Sequence, residues 1–223
     1  MFSALADLKW QGVLLTVSGS ILFAELAGYV LHRLMHSEKF PALSRAHMIH
    51  HFHLYGPCQP MRASTYKDAT QGRVALGNMG LEWVVPSAAI LGACWTVLWS
   101  FAVPRFYEAL ALVTLLAWPL FMFSYLHDRM HLENFWIERT PLLKTWFVRA
   151  RRLHDIHHHS LDNNGRMDRN FGIGFFLFDR AFRTIAHRHC PLNWHGYRIA
   201  MDRYKLEKED EDEFAHFPSR YRV

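Results

Sequence analysis

The chain has 223 residues, 51% of them hydrophobic and 15% aromatic, with 16 histidines and a formal net charge of +5. That length suits one domain or one membrane bundle, and the mean hydropathy of -0.06 averages two very different kinds of segment. Three widely spaced cysteines, Cys58, Cys94 and Cys190, exclude both a disulfide framework and a CxxC motif.

Along the chain, Trp10 to Leu31 is a run of 22 positions whose only charge is Glu25. It lacks a basic flank ahead of a short apolar core and a small-x-small cleavage site, so it reads as a retained membrane span. Trp83 to Pro104 is 22 positions without charge, and Ala109 to Leu126 adds 18 more. A hydrocarbon core of about 30 Å needs about 20 apolar helical residues, so all three runs are long enough to span it. Pro104 stops the second helix before the third begins, which predicts a tight helical hairpin.

The stretch 32–80 carries Arg33, Lys39, Arg45, Arg62, Lys67 and Arg73, and everything after 126 is polar or amphipathic and rich in Arg and Lys. The positive-inside rule then puts 32–80 and 127–223 in the cytoplasm, with the N-terminus and Arg105 outside. Thr140 to His158 reads as an amphipathic helix with Thr140 as N-cap and Pro141 at its first position. Trp146, Ala150, Leu153 and His157 share one stripe, while Lys144, Arg151 and Arg152 point to headgroups or solvent. The run "KLEKEDEDEF" reads as a solvated helix face or tail. The expected organisation is a single domain, 1–223, with a core from 10 to 186 and a polar tail from 187.

Histidines recur in an ordered pattern: "HRLMH" (His32, His36), "HMIHH" (His47, His50, His51), "HDRMH" (His127, His131) and "HDIHH" (His154, His157, His158). At this histidine frequency, chance supplies about 0.08 copies of HxxHH, and the chain has two. Residues at i, i+3 and i+4 share a helix face, so each motif is expected to aim its imidazoles at one point. The pairs follow spans one and three directly and the triples lie in the segments after them, so all four converge on one rim of the bundle. One structural zinc would close its shell with four ligands. Ten nitrogens are enough for two ions with four or five each, and imidazole suits iron as well as zinc.

These motifs, in this order, resemble those of the fatty acid hydroxylase / sterol desaturase superfamily of membrane enzymes. The resemblance runs from about His32 to Thr184 and includes "NFG" (Asn170 to Gly172) and "FLFDRAFRT" (Phe176 to Thr184), with Arg183 standing where that pattern has Gly. It implies an all-α integral membrane bundle of about three transmembrane helices, with a cytoplasmic helical cap carrying the histidines. It also implies two iron ions in a non-haem centre held by the ten motif histidines, which uses dioxygen and two electrons to oxidise a lipid C–H bond. Within that chemistry the product is a hydroxylated lipid, with a carotenoid hydroxylase or a lipid desaturase as alternatives. A metal transporter or a haem-binding membrane protein is disfavoured, because the span interiors contain no histidine.

Other residues are weighed against plainer roles. His53 and His159 sit one step off the ligand faces and read as supporting or solvent residues. His187, His189 and His195 read as surface. Asp128 and Asp155 each follow a ligand histidine; an i+1 neighbour points about 100° away, so each could serve only a histidine of another helix. Glu25 lies seven residues before His32 on the same face, as a tunnel-lining group or a structural carboxyl. Asn170 joins the supporting or channel group. Phe171, Phe175, Phe176, Phe178 and Phe182 form an aromatic stripe read as packing or interfacial anchoring. The chain has no flavin or nicotinamide fingerprint and no cysteine cluster, so electrons are expected from a separate ferredoxin or small cytochrome with its reductase, docked near Arg149, Arg151 and Arg152. No nucleic-acid partner is expected.

Overall fold

The computed structural model describes residues 2–57, 61–66, 75–76, 79–189 and 191–206. Helix α1 (Phe2–Met35) is 34 residues long, about 51 Å at 1.5 Å per residue. Its apolar span, Lys9–Met35, runs one turn beyond the expected end at Leu31. No breaker interrupts it until the Ser37 hydroxyl donates to the Leu34 carbonyl at 2.7 Å. His32 is thereby held inside a helical turn rather than in a loop.

Helix α2 (Pro41–Ile49) starts on a proline and passes without a break into a wider π-helical turn, His50–Leu54. A two-residue antiparallel ladder follows, β1 (Ala75–Leu76) with β2 (Met79–Gly80). Helix α3 (Leu81–Ser100) contains the span Trp83–Ser100. Helix α4 (Arg105–Pro119) begins immediately after Pro104, as expected for a residue that fixes φ and donates no hydrogen bond. Beyond Pro119 the rod widens into a second π-helical turn, Leu120–Leu126, and continues as α5 (His127–Met130). The whole rod gives the third span, Arg105–Met130. A 3₁₀ turn (Trp136–Arg139) leads to α6 (Pro141–His159), α7 (Leu177–Ala181) and α8 (Trp194–Tyr204).

The fold is helical, and three of its helices are long and apolar enough to cross a membrane. Their outer faces leave Leu15 76% exposed, Trp99 61% and Trp95 53%. Apolar surface on this scale requires a lipid cover. The main core lies where the spans meet the cap: Met35 of α1, Met122 and Leu126 of the second π turn, Met130 of α5, and Phe147, Leu153 and Ile156 of α6.

Three details differ from the sequence reading. Thr140 occupies the N-cap of α6 without a side-chain cap, because its hydroxyl donates back to the Trp136 carbonyl at 3.2 Å. Arg151 does not face headgroups: it donates to Glu138 Oε1 at 2.7 Å and to the Leu132 carbonyl at 2.9 Å, and it lies over the Phe147 ring. The polar tail does not begin at residue 187, since Tyr197, Ala200 and Met201 of α8 are buried against Met48 and Phe52. Most of the acidic run, with Cys58 and Cys190, lies outside the described residues.

Candidate metal centre

All ten motif histidines meet at the cap end of the bundle, and none is more than 5% exposed. His32, His36, His47, His51 and His157 form one group in which one ring nitrogen from each lies within 4.8 Å of all the others. His50, His131, His154 and His158 form a second by the same measure, and His127 joins through His50 in a third group that includes Asp128. The His127 and His50 rings stack 4.4 Å apart. His50 and His158, at 5.3 Å, belong together, while His51 and His158, at 4.0 Å, place the two groups side by side.

Each triple is divided between the groups rather than aimed at one point. Helical residues rotate by about 100° each, so i and i+4 diverge by about 40° but i+3 and i+4 by about 100°. His47 and His51 therefore serve the first group and His50 the second. In α6 the i, i+4 pair His154 and His158 serves the second group, and His157 turns to the first.

The inner nitrogens approach one another closely. His36 Nε2 lies 3.2 Å from His47 Nε2 and 3.0 Å from His157 Nε2. The corresponding distance is 3.1 Å for His47 and His51, 3.0 Å for His131 and His154, and 3.1 Å for His154 and His158. Two nitrogens each about 2.1 Å from a shared ion are about 3.0–3.2 Å apart when their angle is about 90–100°, and about 3.4 Å apart in a tetrahedron. The donor set is thus spaced as imidazoles converging on a metal ion would be.

Tautomers agree with that fit. A carbonyl only accepts, so the Nδ1–H of His32 donates to Phe171 O at 2.6 Å and the Nδ1–H of His157 to Arg169 O at 2.6 Å. In each neutral ring Nε2 then carries an inward lone pair. His32 Nε2 is buried with no hydrogen-bond partner, the condition of a ligand atom facing an ion site. Burial, followed by neighbouring imidazoles, holds His36, His51, His154 and His158 well below the usual imidazole range; burial and His32 do the same for His157. Neutral rings are the metal-binding form.

The two orienting carbonyls flank Asn170, which is fully buried and has a left-handed φ of 54°. Its amide donates to the carbonyls of Leu153 and Ala186, each at 2.9 Å, and accepts from Ala186 N at 2.7 Å. Asp179 accepts from Phe171 N and Gly172 N at 2.7 Å each and from the Thr184 hydroxyl at 2.8 Å. Arg183, in the position where a glycine was expected, adopts φ 59°. It ends α7 in a Schellman cap, with Thr184 N on Asp179 O at 2.8 Å and Arg183 N on Arg180 O at 3.3 Å.

The remaining candidates fall in different places. Glu25 is buried and accepts from Trp118 Nε1 at 2.8 Å. His53 is exposed and turned away from the centre. Asp128 comes closer to its own neighbour than the helical angle suggested, with Oδ1 3.7 Å from His127 Nδ1, because side-chain reach closes part of the gap. That is longer than a hydrogen bond. Burial raises the Asp155 carboxyl to about 7, with Arg151 opposing. The Nδ1–H of His159 donates to the Asp155 carbonyl of its own helix at 2.8 Å. His187 and His195 are exposed, and His189 sits 6.0 Å from His159.

Aromatic neighbours of the centre carried no motif. Tyr55 stacks on His131 at 4.0 Å, and Trp83 stands 5.8 Å from His32 and 5.9 Å from His47. The aromatic stripe is split: Phe171 packs on His32, His36 and His157, whereas Phe175 and Phe182 are exposed.

Residues 17–184 match the family model described as fatty acid hydroxylase, about three quarters of the chain. No curated protein and no solved structure matches the chain.

Proposed function

Because the chain belongs to the fatty acid hydroxylase family, we propose that it is a membrane di-iron oxygenase that hydroxylates a C–H bond of a lipid. The observation that carries this reading is the pair of adjoining imidazole groups, with inner nitrogens 3.0–3.2 Å apart, at the end of three apolar helices. His32, His36, His47, His51 and His157 would hold one ion, and His50, His127, His131, His154 and His158 the other. Two irons there would supply reductive activation of dioxygen: one oxygen atom enters the C–H bond and the other leaves as water, with two electrons and two protons consumed.

The chain's own residues prepare that site. The carbonyls of Arg169 and Phe171 fix two rings in the ligand tautomer. Leu126 and Met130, both at 0% exposure, and Ile156 at 1% keep bulk water from the imidazoles. A separate ferredoxin or small cytochrome supplies the electrons. Arg149 and Arg152 are exposed and available to dock it, whereas Arg151 is engaged with Glu138. The centre faces the cytoplasm in this reading, which the Arg and Lys asymmetry of the flanking segments supports.

Incubation under isotopically labelled dioxygen tests the reading. The expected product carries one labelled oxygen in a new hydroxyl. A new double bond without label would move the chain to desaturation, and label drawn only from water would remove the oxygenase reading.

A further inference from the structure

Two chains of hydrogen bonds run outward from the first imidazole group through one short turn, and they end differently. His157 Nδ1–H donates to the carbonyl of the Arg169–Asn170 peptide at 2.6 Å, and the N–H of that peptide donates to the Thr184 carbonyl at 3.0 Å. His32 Nδ1–H donates to the carbonyl of the Phe171–Gly172 peptide at 2.6 Å, and the N–H of that peptide donates to Asp179 Oδ2 at 2.7 Å. The carbonyl and N–H of a trans peptide point to opposite sides of one delocalised unit. The first chain therefore ends on a neutral oxygen and the second on a carboxylate.

Asp179 is placed for that peptide. It is fully buried, and both of its oxygens accept: Oδ1 from Phe171 N and the Thr184 hydroxyl, Oδ2 from Gly172 N. Burial pushes its carboxyl up, and these bonds pull against that, since donors favour the ionised form. Because the Thr184 proton is committed to Asp179, the Tyr29 hydroxyl is the donor in its 3.2 Å contact with Thr184. Tyr29 stands three residues before His32 on α1, so the chain that leaves α1 at His32 returns to it. At Gly172 a Cβ would lie 2.7 Å from Asp179 Oδ2, so only glycine admits the carboxylate this close.

A charged acceptor binds an N–H about twice as strongly as a neutral one. It polarises the peptide, and the carbonyl oxygen becomes a stronger acceptor in turn. An imidazole held more strongly at Nδ1–H is a more basic donor at Nε2, and His32 Nε2 is the atom left facing the site. We infer that Asp179 is a positioning residue of the centre: acting through the Phe171–Gly172 peptide, it makes His32 a stronger nitrogen donor than His157. The inference rests on the metal-centre reading for the ion that His32 would hold, while the hydrogen bonds themselves are measurable in metal-free protein.

The test uses the full chain in detergent, metal-free and with nitrogen-labelled histidine. The Nδ1 proton resonances of His32 and His157 are identified by their loss in His32→Gln and His157→Gln. The His32 resonance should lie downfield of that of His157. Asp179→Asn should move the His32 resonance upfield and leave that of His157 in place, whereas a residue that merely held the turn in shape would move both. A shift of both resonances, or of neither, in folded Asp179→Asn would overturn the inference. If that variant does not fold, as its thermal midpoint reports, the wild-type order carries the test, and a His32 resonance at or upfield of that of His157 would overturn it. In iron-loaded protein Asp179→Asn should move the reduction potential positive and weaken metal binding roughly 10–100-fold; an unmoved potential would also overturn the inference. A wild-type chain that shows the His32 shift but loads no iron supports the peptide relay and counts against the di-iron reading alone.

Discussion

The Nδ1 of His32 and the carbonyl of Phe171 are 2.6 Å apart although 139 residues separate them in the chain. Two residues earlier, the Arg169 carbonyl makes the same bond to His157 of α6. One short backbone turn therefore orients imidazoles from two helices that are distant in sequence, and Asn170 between the carbonyls ties that turn to α6 and to the irregular segment after α7.

Asn170→Ala should loosen both imidazoles. It removes three hydrogen bonds, one buried and two part-buried, each worth up to about 1–3 kcal/mol when a buried partner is left unpaired, and places alanine in the left-handed region at a cost of about 1–2 kcal/mol. Metal affinity is expected to fall roughly 10–100-fold. Asn170→Gly separates the causes, since it relieves the backbone and still lacks the amide. Unchanged affinity in both variants, measured by competition with a chelator, would remove the positioning role.

Protein purified without oxygen should carry close to two irons per chain. His36→Ala and His154→Ala, one from each group, should each lower that content, whereas His189→Ala should not. Elemental analysis decides the matter, and full loading in the first two variants would sink the ligand assignment.

Metal-free protein should become less stable as pH falls below about 6.5. His36, His51, His154, His157 and His158 have folded values held below the unfolded imidazole value. The unfolded chain therefore binds more protons, and stability is lost on acidification by up to about 1.4 kcal/mol per pH unit for each ring. The thermal midpoint of chelator-treated protein in detergent should drop between about pH 7.5 and about pH 5.5, and less so with metal bound. Equal midpoints at both pH values would contradict this.

Arg183→Gly should stabilise the protein by about 1 kcal/mol, because the exposed side chain at φ 59° occupies a conformation that glycine enters freely. A higher thermal midpoint with unchanged metal content is the expected result. A lower one would mean that the arginine side chain contributes more than its backbone costs.

A reporter fused after Val223 should read as cytoplasmic, and one ahead of Met1 as external. The opposite result would reverse the orientation drawn from the basic residues.

The spans were legible because membrane-length runs carry no charge or, in the first, only Glu25, and the histidines because their motifs recur far more often than chance allows. What the spacing could not convey was the division of each triple, which depends on the angle between i+3 and i+4 and on the π-helical turn starting at His50. The orienting groups on His32 and His157 were illegible for a different reason: they are backbone carbonyls, which every residue has. Trp83 and Tyr55 carry no motif, and only packing brings them to the imidazoles. Helix α8 was hidden by its composition, since Tyr197, Ala200 and Met201 are interleaved with Arg198, Asp202 and Arg203. Arg183, which stands where the family pattern has Gly, proves to be a left-handed residue.

Dividing the triples has a thermodynamic consequence. The segment from His47 to His51 and the last turn of α6 each contribute to both imidazole groups, so the two groups share part of their scaffold, while α1 serves only the first and α5 only the second. An ion in one site immobilises the same two segments that the other requires, and the ordering entropy is spent once for two binding events. In the proposed two-iron centre, loading should therefore be positively cooperative: half-filled chains would be scarce at limiting iron, and the dinuclear form would gather in a subset of molecules while the rest stay empty.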